Sequence, residues 1–167
     1  MSNSLIFSLI LIGATLFQTT ILPYLEISGV HPDLVLVLVI GWVVLRGWEE
    51  GVIWALIGGL SLDFMSAAPF GLFTLCLILV AFITSLVHGL TFGSSIVLPL
   101  SLTFPLSLFF NGIALLLLVF WGRPVIWSEA LIAVLLPAAI FNTVSMLLVF
   151  PLLYLLNRWL NPQTLSF

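Results

Sequence analysis

The sequence predicts an all-α integral membrane protein folded as a six-helix transmembrane bundle, and three observations carry that prediction. Hydrophobic residues make up 63% of the 167-residue chain and charged ones 5%, with a mean hydropathy of +1.40. The apolar runs are mostly close to the length of about 20 residues that a spanning helix needs, so the chain accommodates about six and leaves no room for a soluble domain. Short segments holding Pro, Gly and most of the charges punctuate these runs. One transmembrane domain over 1–167 is expected, with spans near 4–22, 33–45, 49–66, 70–90, 94–121 and 129–157.

The first span ends at Pro23, because a residue before proline is pushed out of the α region. No positive side chain precedes the span and no A-x-A site follows it, so a retained helix is expected in place of a cleaved signal. Gln18 sits near its end, and an amide at that depth must find a partner among helices. The loop YLEISGVHPD carries Glu26, His31 and Asp33, with Gly29 and Pro32 as turn formers. Asp33 directly after Pro32 suits a helix first turn, where a carboxylate meets the positive end of the dipole. The second helix falls short of a hydrocarbon core of about 30 Å, so either the bilayer thins or protein shields it. The turn LRGWEEG places Arg46, Glu49 and Glu50 together, with Trp42 and Trp48 nearby, which read as interfacial. A re-entrant hairpin would hold those three charges at membrane depth, an expensive arrangement, and two short crossings are expected instead.

The third helix reads as the one around which the chain is organised. Gly51, Ala55 and Gly59 recur at i, i+4 and i+8, and the next step along that face is Asp63. Such a face lets another helix approach closely in a membrane, whether the chain's own fourth helix or a different protein. Asp63 itself reads either as a proton or ion site, the default for a carboxylate at that depth, or as a cap or an ion pair with Arg123. The turn SAAPFG, with Pro69 and Gly71, leads into the fourth helix, where Ala81, Ser85 and Gly89 repeat the small-residue spacing and His88 lies at the interfacial end. The fifth span is overlong and contains Pro99 and Pro105, which predicts a kink or an interfacial lead-in; Asn111 is its strong polar group. The sixth contains Pro137 and Asn142 and is followed by Arg158.

Six crossings put Arg46 and Arg158 on the side of the N-terminus and Arg123 on the other. The positive-inside rule then places both termini in the cytoplasm. Glu26, His31, Asp33, Asp63, Arg123 and Glu129 fall toward the outer side.

Several function classes are disfavoured by the same residues. With three Lys and Arg in all and a net charge of −3, neither a nucleic-acid partner nor a polybasic lipid patch is expected. His31 and His88 fall at opposite faces and no serine occupies a G-x-S-x-G elbow, so no enzyme is expected. Cys76 is the single cysteine, which rules out a disulfide or a cysteine metal site within one chain. His31, Asp33 and Asp63 share a side, but two carboxylates and one imidazole spread over loops read as solvated or capping groups, and no metal or cofactor is expected.

Three ordered stretches, QTTILPYL with Gln18, GVHPDLVLVLV with Pro32 and Asp33, and GGLSLDFMSAAPFGL with Asp63, Pro69 and Gly71, resemble the MreD family of rod-shape proteins. The resemblance implies a non-enzymatic protein of the bacterial cytoplasmic (inner) membrane. It implies binding to MreC, a single-span scaffold, and help in coupling MreB filaments to RodA and its transpeptidase during peptidoglycan synthesis. It also implies a six-helix architecture similar to the S-components of energy-coupling-factor transporters, which supplies the alternative of a vitamin-binding S-component. The first span lacks the A-x-x-x-A face those proteins use to meet their transport partner, Ser4 and Ser8 being the nearest substitute. A lipid or ion carrier built on Asp63 is the third reading.

Overall fold

The computed structural model describes residues 2–25, 30–88, 96–123 and 126–160. Glu26, Gly29, Gly89 and the side chains of Ser4, Ser8 and His88 lie outside the described residues. Six helices and no strand are present among those described. They are α1 (Ser2–Thr20), α2 (Leu34–Arg46), α3 (Trp48–Met65), α4 (Leu72–His88), α5 (Val97–Phe120) and α6. The last is continuous from Trp127–Ala130 through a π-helical turn, Leu131–Leu135, into Leu136–Leu160. Pro137 lacks an N–H, so the backbone shifts register just before it and Leu136 bonds back to the carbonyl of Leu131. Two of the helices, Val97–Phe120 and Trp127–Trp159, are long and apolar enough to cross a membrane, and Leu34–Arg46 and Leu72–Val87 are shorter apolar helices.

Neighbouring contacts fix the directions. Leu11 meets Gly58 and Thr19 meets Met65, so α1 and α3 run parallel. Gly51 faces Val43 and Gly58 faces Val35, so α2 and α3 are antiparallel. Asp33 bonds Asn142 while Gly41 meets Leu153, so α2 and α6 run parallel.

The centre is α2, not α3. Nine of its 13 residues are buried, and it touches α1, α3, α4, α5 and α6. Its length is about 20 Å at 1.5 Å per residue. Of the two expected accommodations for so short a helix, shielding by protein is the one seen. Gly41 makes it possible on one side, since a Cβ there would lie 2.6 Å from Leu153 Cδ1 on α6. Trp42 corrects a second expectation. It is fully buried and stacks on Trp54 with ring centroids 4.4 Å apart, while Trp48 remains at the surface. Its indole N–H reaches Glu50 at 3.1 Å, and Arg46 pairs with the same carboxylate at 2.9 Å, so the charged turn is held together by its own residues.

Within the helices the hydroxyls of Thr15, Thr84, Thr103 and Thr143 each donate to the carbonyl four residues back. Each of these four hydroxyls thereby has an acceptor within its own helix. Helix α5 runs unbroken through Pro105, with Pro99 in its first turn.

Candidate functional site

Gln18, Pro32, Asp33, Gly59, Asp63, Pro69 and Gly71 lie toward one end of the bundle, where α1 and α3 finish and α2 and α4 begin, while Gly51 lies at the start of α3. Helix starts expose N–H groups with no partner inside the helix. In a chain this apolar the donors need protein acceptors, and each of the two starts takes its acceptor from another helix.

At α2 the acceptor is Gln18, buried on α1. Its Oε1 accepts the N–H of Val35 at 3.0 Å and its Nε2 donates to Asp33 Oδ1 at 3.1 Å. Asp33 is the N-cap residue of α2 but makes no side-chain cap bond to its own helix. Its backbone N–H donates instead to Asn142 Oδ1 at 2.6 Å, 109 residues away on α6, and Asn142 Nδ2 donates to Ser107 Oγ on α5 at 2.6 Å. Asn111 turns back to the carbonyl of Ser107 at 3.0 Å. Polar groups of α1, α2, α5 and α6 thus form one buried chain of hydrogen bonds. Sequence reading named Asn142 without giving it a role and passed over Ser107, because a lone serine in an apolar helix carries no local signal of its partner.

At α4 the acceptor is Asp63, 4% exposed near the end of α3. Its Oδ1 accepts the N–H of Phe73 at 2.9 Å, and its Oδ2 accepts both the N–H of Thr74 at 3.1 Å and the Thr74 hydroxyl at 2.6 Å. Three donors and the positive end of α4 hold the carboxylate in place. Of the readings offered for Asp63, the geometry is that of a cap, and Arg123 is exposed on the surface.

Gly59 lies one turn before Asp63 and meets the same residue. A Cβ there would collide with Thr74 Cα and approach Thr74 N and Oγ1 at 2.9 Å. The pair therefore acts as a clasp: Gly59 lets the first turn of α4 come close, and Asp63 bonds it. Gly51 faces another way, onto Val43 of α2, and Ala55 is buried between. The small-residue face is thus divided between α4 and α2 and is filled from inside the chain. Adjacent Gly58, not singled out by sequence, admits Val35 Cγ1 at 2.6 Å from where its Cβ would stand, and the Gly-Gly pair was its only local mark. The α3–α4 turn uses Gly71 at φ +93, a left-handed conformation that favours glycine, and Pro69 accepts the N–H of Leu72 at 3.2 Å. Pro32 lies beside His31, whose Nδ1 stands 3.4 Å from the Pro32 carbonyl.

Between these two capped starts lies a cavity of about 290 Å³ lined by Gln18, Thr19, His31, Asp33, Leu62, Met65, Ser66 and Phe73. Among the described residues no group of three or more His, Cys, Asp or Glu is placed to hold a metal ion.

A family model described as rod shape-determining protein MreD matches residues 1–160. No curated protein and no solved structure matches the chain.

Proposed function

The chain belongs to the MreD family, and from that premise we propose that it is a non-enzymatic, six-crossing component of the rod-shape (elongation) machinery in the bacterial inner membrane. In this reading it binds an MreC-like single-span protein and helps couple MreB filaments to the RodA glycosyltransferase and its transpeptidase. Both termini face the cytoplasm, and the crossings pack in an arrangement similar to that of transporter S-components. The single observation that carries the proposal is the match over almost the whole chain, since rod-shape determination is the role that membership supports.

The geometry favours a scaffold over a catalyst. Asp63 is spent on backbone amides, and Gln18 and Asn142 bond backbone N–H groups at the start of α2, so the polar side chains fix the bundle's shape. Because the Gly51, Ala55 and Gly59 face is filled by α2 and α4, the partner meets the protein elsewhere, on lipid-facing side chains or at the polar end. Affinity purification of the detergent-solubilised protein is the test. Recovery of an MreC-like single-span protein is expected; recovery of an ATPase-linked transport module, or a tightly bound vitamin, would replace this reading with that of an S-component. Cysteines introduced at Ser2 and Ser28 test the orientation. Labelling from outside at 28 and protection at 2 are expected, and the reverse pattern would invert every assignment of sides.

A further inference from the structure

Helices α5 and α6 outrun the rest of the bundle. The bond between Asn142 and Ser107 lies level with the start of α2, and beyond it α5 continues to Phe120 and α6 reaches back to Trp127, about 20 Å further at 1.5 Å per residue. Gly112 faces Leu135, so the two helices stay paired and antiparallel along this stretch. In contrast α1 ends at Thr20 and α3 at Met65, which meet through Thr19, within about 10 Å of the same level. The free end of the α5–α6 hairpin is apolar. Phe120, Trp121, Ile126 and Trp127 are each between 49% and 80% exposed, and the first turn of α6, Trp127–Ala130, packs mainly on its own continuation.

Lipid does not cover this end. The apolar helix Trp127–Trp159 has 33 residues and is about 50 Å long, against about 40–45 Å for a bilayer with its headgroups. A tilt of about 20° shortens its projection only to about 47 Å. With Arg158 and Trp159 at one interface, Phe120 and Trp127 stand at the outer edge of the opposite headgroups, where clustered apolar side chains meet water and mark an interaction site. The charges at this end select what covers it. Arg123 and Glu129 are both exposed there, and neither has an ion pair among the described residues. A patch that carries one cation and one anion is complementary to itself, because in a two-fold contact residue i meets residue j and j meets i. Any other partner must bring an opposite pair of its own at the matching spacing. We propose that the free end of the α5–α6 hairpin is an interface for a second copy of this chain, closed by Phe120, Trp121, Ile126 and Trp127 and by two reciprocal pairs between Arg123 and Glu129. The inference takes the membrane crossing of α5 and α6 from the reading above and nothing from the rod-shape role.

Sedimentation equilibrium of the full chain in density-matched detergent is expected to show a reversible monomer–dimer equilibrium. Arg123→Glu and Glu129→Arg each turn both pairs into repulsions and weaken the dimer about tenfold. Exchanging the two charges in one chain, Arg123→Glu with Glu129→Arg, restores it. So does mixing the two single variants, because every contact between them is again of opposite charge. Trp127→Ala weakens the dimer about tenfold or more, and Glu49→Gln at the opposite end leaves it unchanged. In native membranes a cysteine at Ser128 is expected to react with an impermeant maleimide and to form a disulfide-linked dimer under mild oxidation. A cysteine there that is unreactive from either side of the membrane places the hairpin end inside the bilayer and overturns the proposal. A reactive position 128 on a chain that stays monomeric at every concentration overturns the interface alone and leaves the crossing intact; it is the outcome if lipid or a different protein covers the patch. A dimer that none of these variants weakens, or single variants that do not recover on mixing, overturns the interface equally.

Discussion

Removing the Asp63 carboxylate tests the clasp on α4 most directly. In Asp63→Ala the N–H groups of Phe73 and Thr74 and the Thr74 hydroxyl lose their acceptor together. Loss of a helix N-cap costs about 0.5–2 kcal/mol, and a buried donor left without a partner about 1–3 kcal/mol. Phe73 and Thr74 are half-buried, so water reaches them in part and the lower end applies to each amide. The sum is a destabilisation of about 2–4 kcal/mol. Asp63→Asn keeps one acceptor oxygen and the shape but turns a donor toward Thr74 and loses the charge at the helix start, so about 1–2 kcal/mol is expected. Thr74→Val costs about 1 kcal/mol in the wild type and clearly less in the Asp63→Ala background, because the hydroxyl there has already lost its partner. Reversible unfolding in mixed detergent, followed by circular dichroism, gives the energies, and hydrogen exchange at the amides of residues 73 and 74 locates them. If Asp63→Ala unfolds within about 0.5 kcal/mol of the wild type with both amides still protected, the capping account is refuted.

Further substitutions test the rest of the core. Gly59→Ala drives a Cβ into the backbone of Thr74 and is expected to cost about 1–3 kcal/mol. Gly112→Ala meets only Leu135 Cδ2 at 4.0 Å and is expected to be neutral or stabilising by up to about 1 kcal/mol; unfolding midpoints of the two, compared side by side, must differ in sign or by at least that much. Gln18→Leu strips the acceptor from Val35 N–H and the donor from Asp33, an expected loss of about 2–3 kcal/mol visible as faster exchange of the Val35 amide. Trp42→Leu removes the stack on Trp54 and opens a space in the central helix, with an expected loss of about 2–4 kcal/mol in the same unfolding assay.

Helix positions were legible because their causes are local. Apolar runs, the proline after Leu22 and the glycines at 47 and 71 mark where each helix can and cannot continue. Asp63 stood out for a local reason too, as a single carboxylate in an uncharged stretch.

The sequence by itself thus determined the class, the number of helices and the small set of polar residues that had to find partners. It did not determine who the partners are. Asp33 meets Asn142 across 109 residues, and Gln18 caps a helix that begins 16 positions later, pairings that no spacing rule encodes. Nor did it reveal that α2 is the centre, that Trp42 lies inside, or that the small-residue face of α3 is divided between two neighbours. In a water-soluble protein polar faces would have marked the outside of each helix. Here Leu56, Leu60 and Phe64 are exposed while Leu62 on the same helix is buried, and all four are equally apolar. Where the surroundings are as apolar as the core, hydropathy cannot tell inside from outside, and close packing and hydrogen-bond partners make that decision only in the folded bundle.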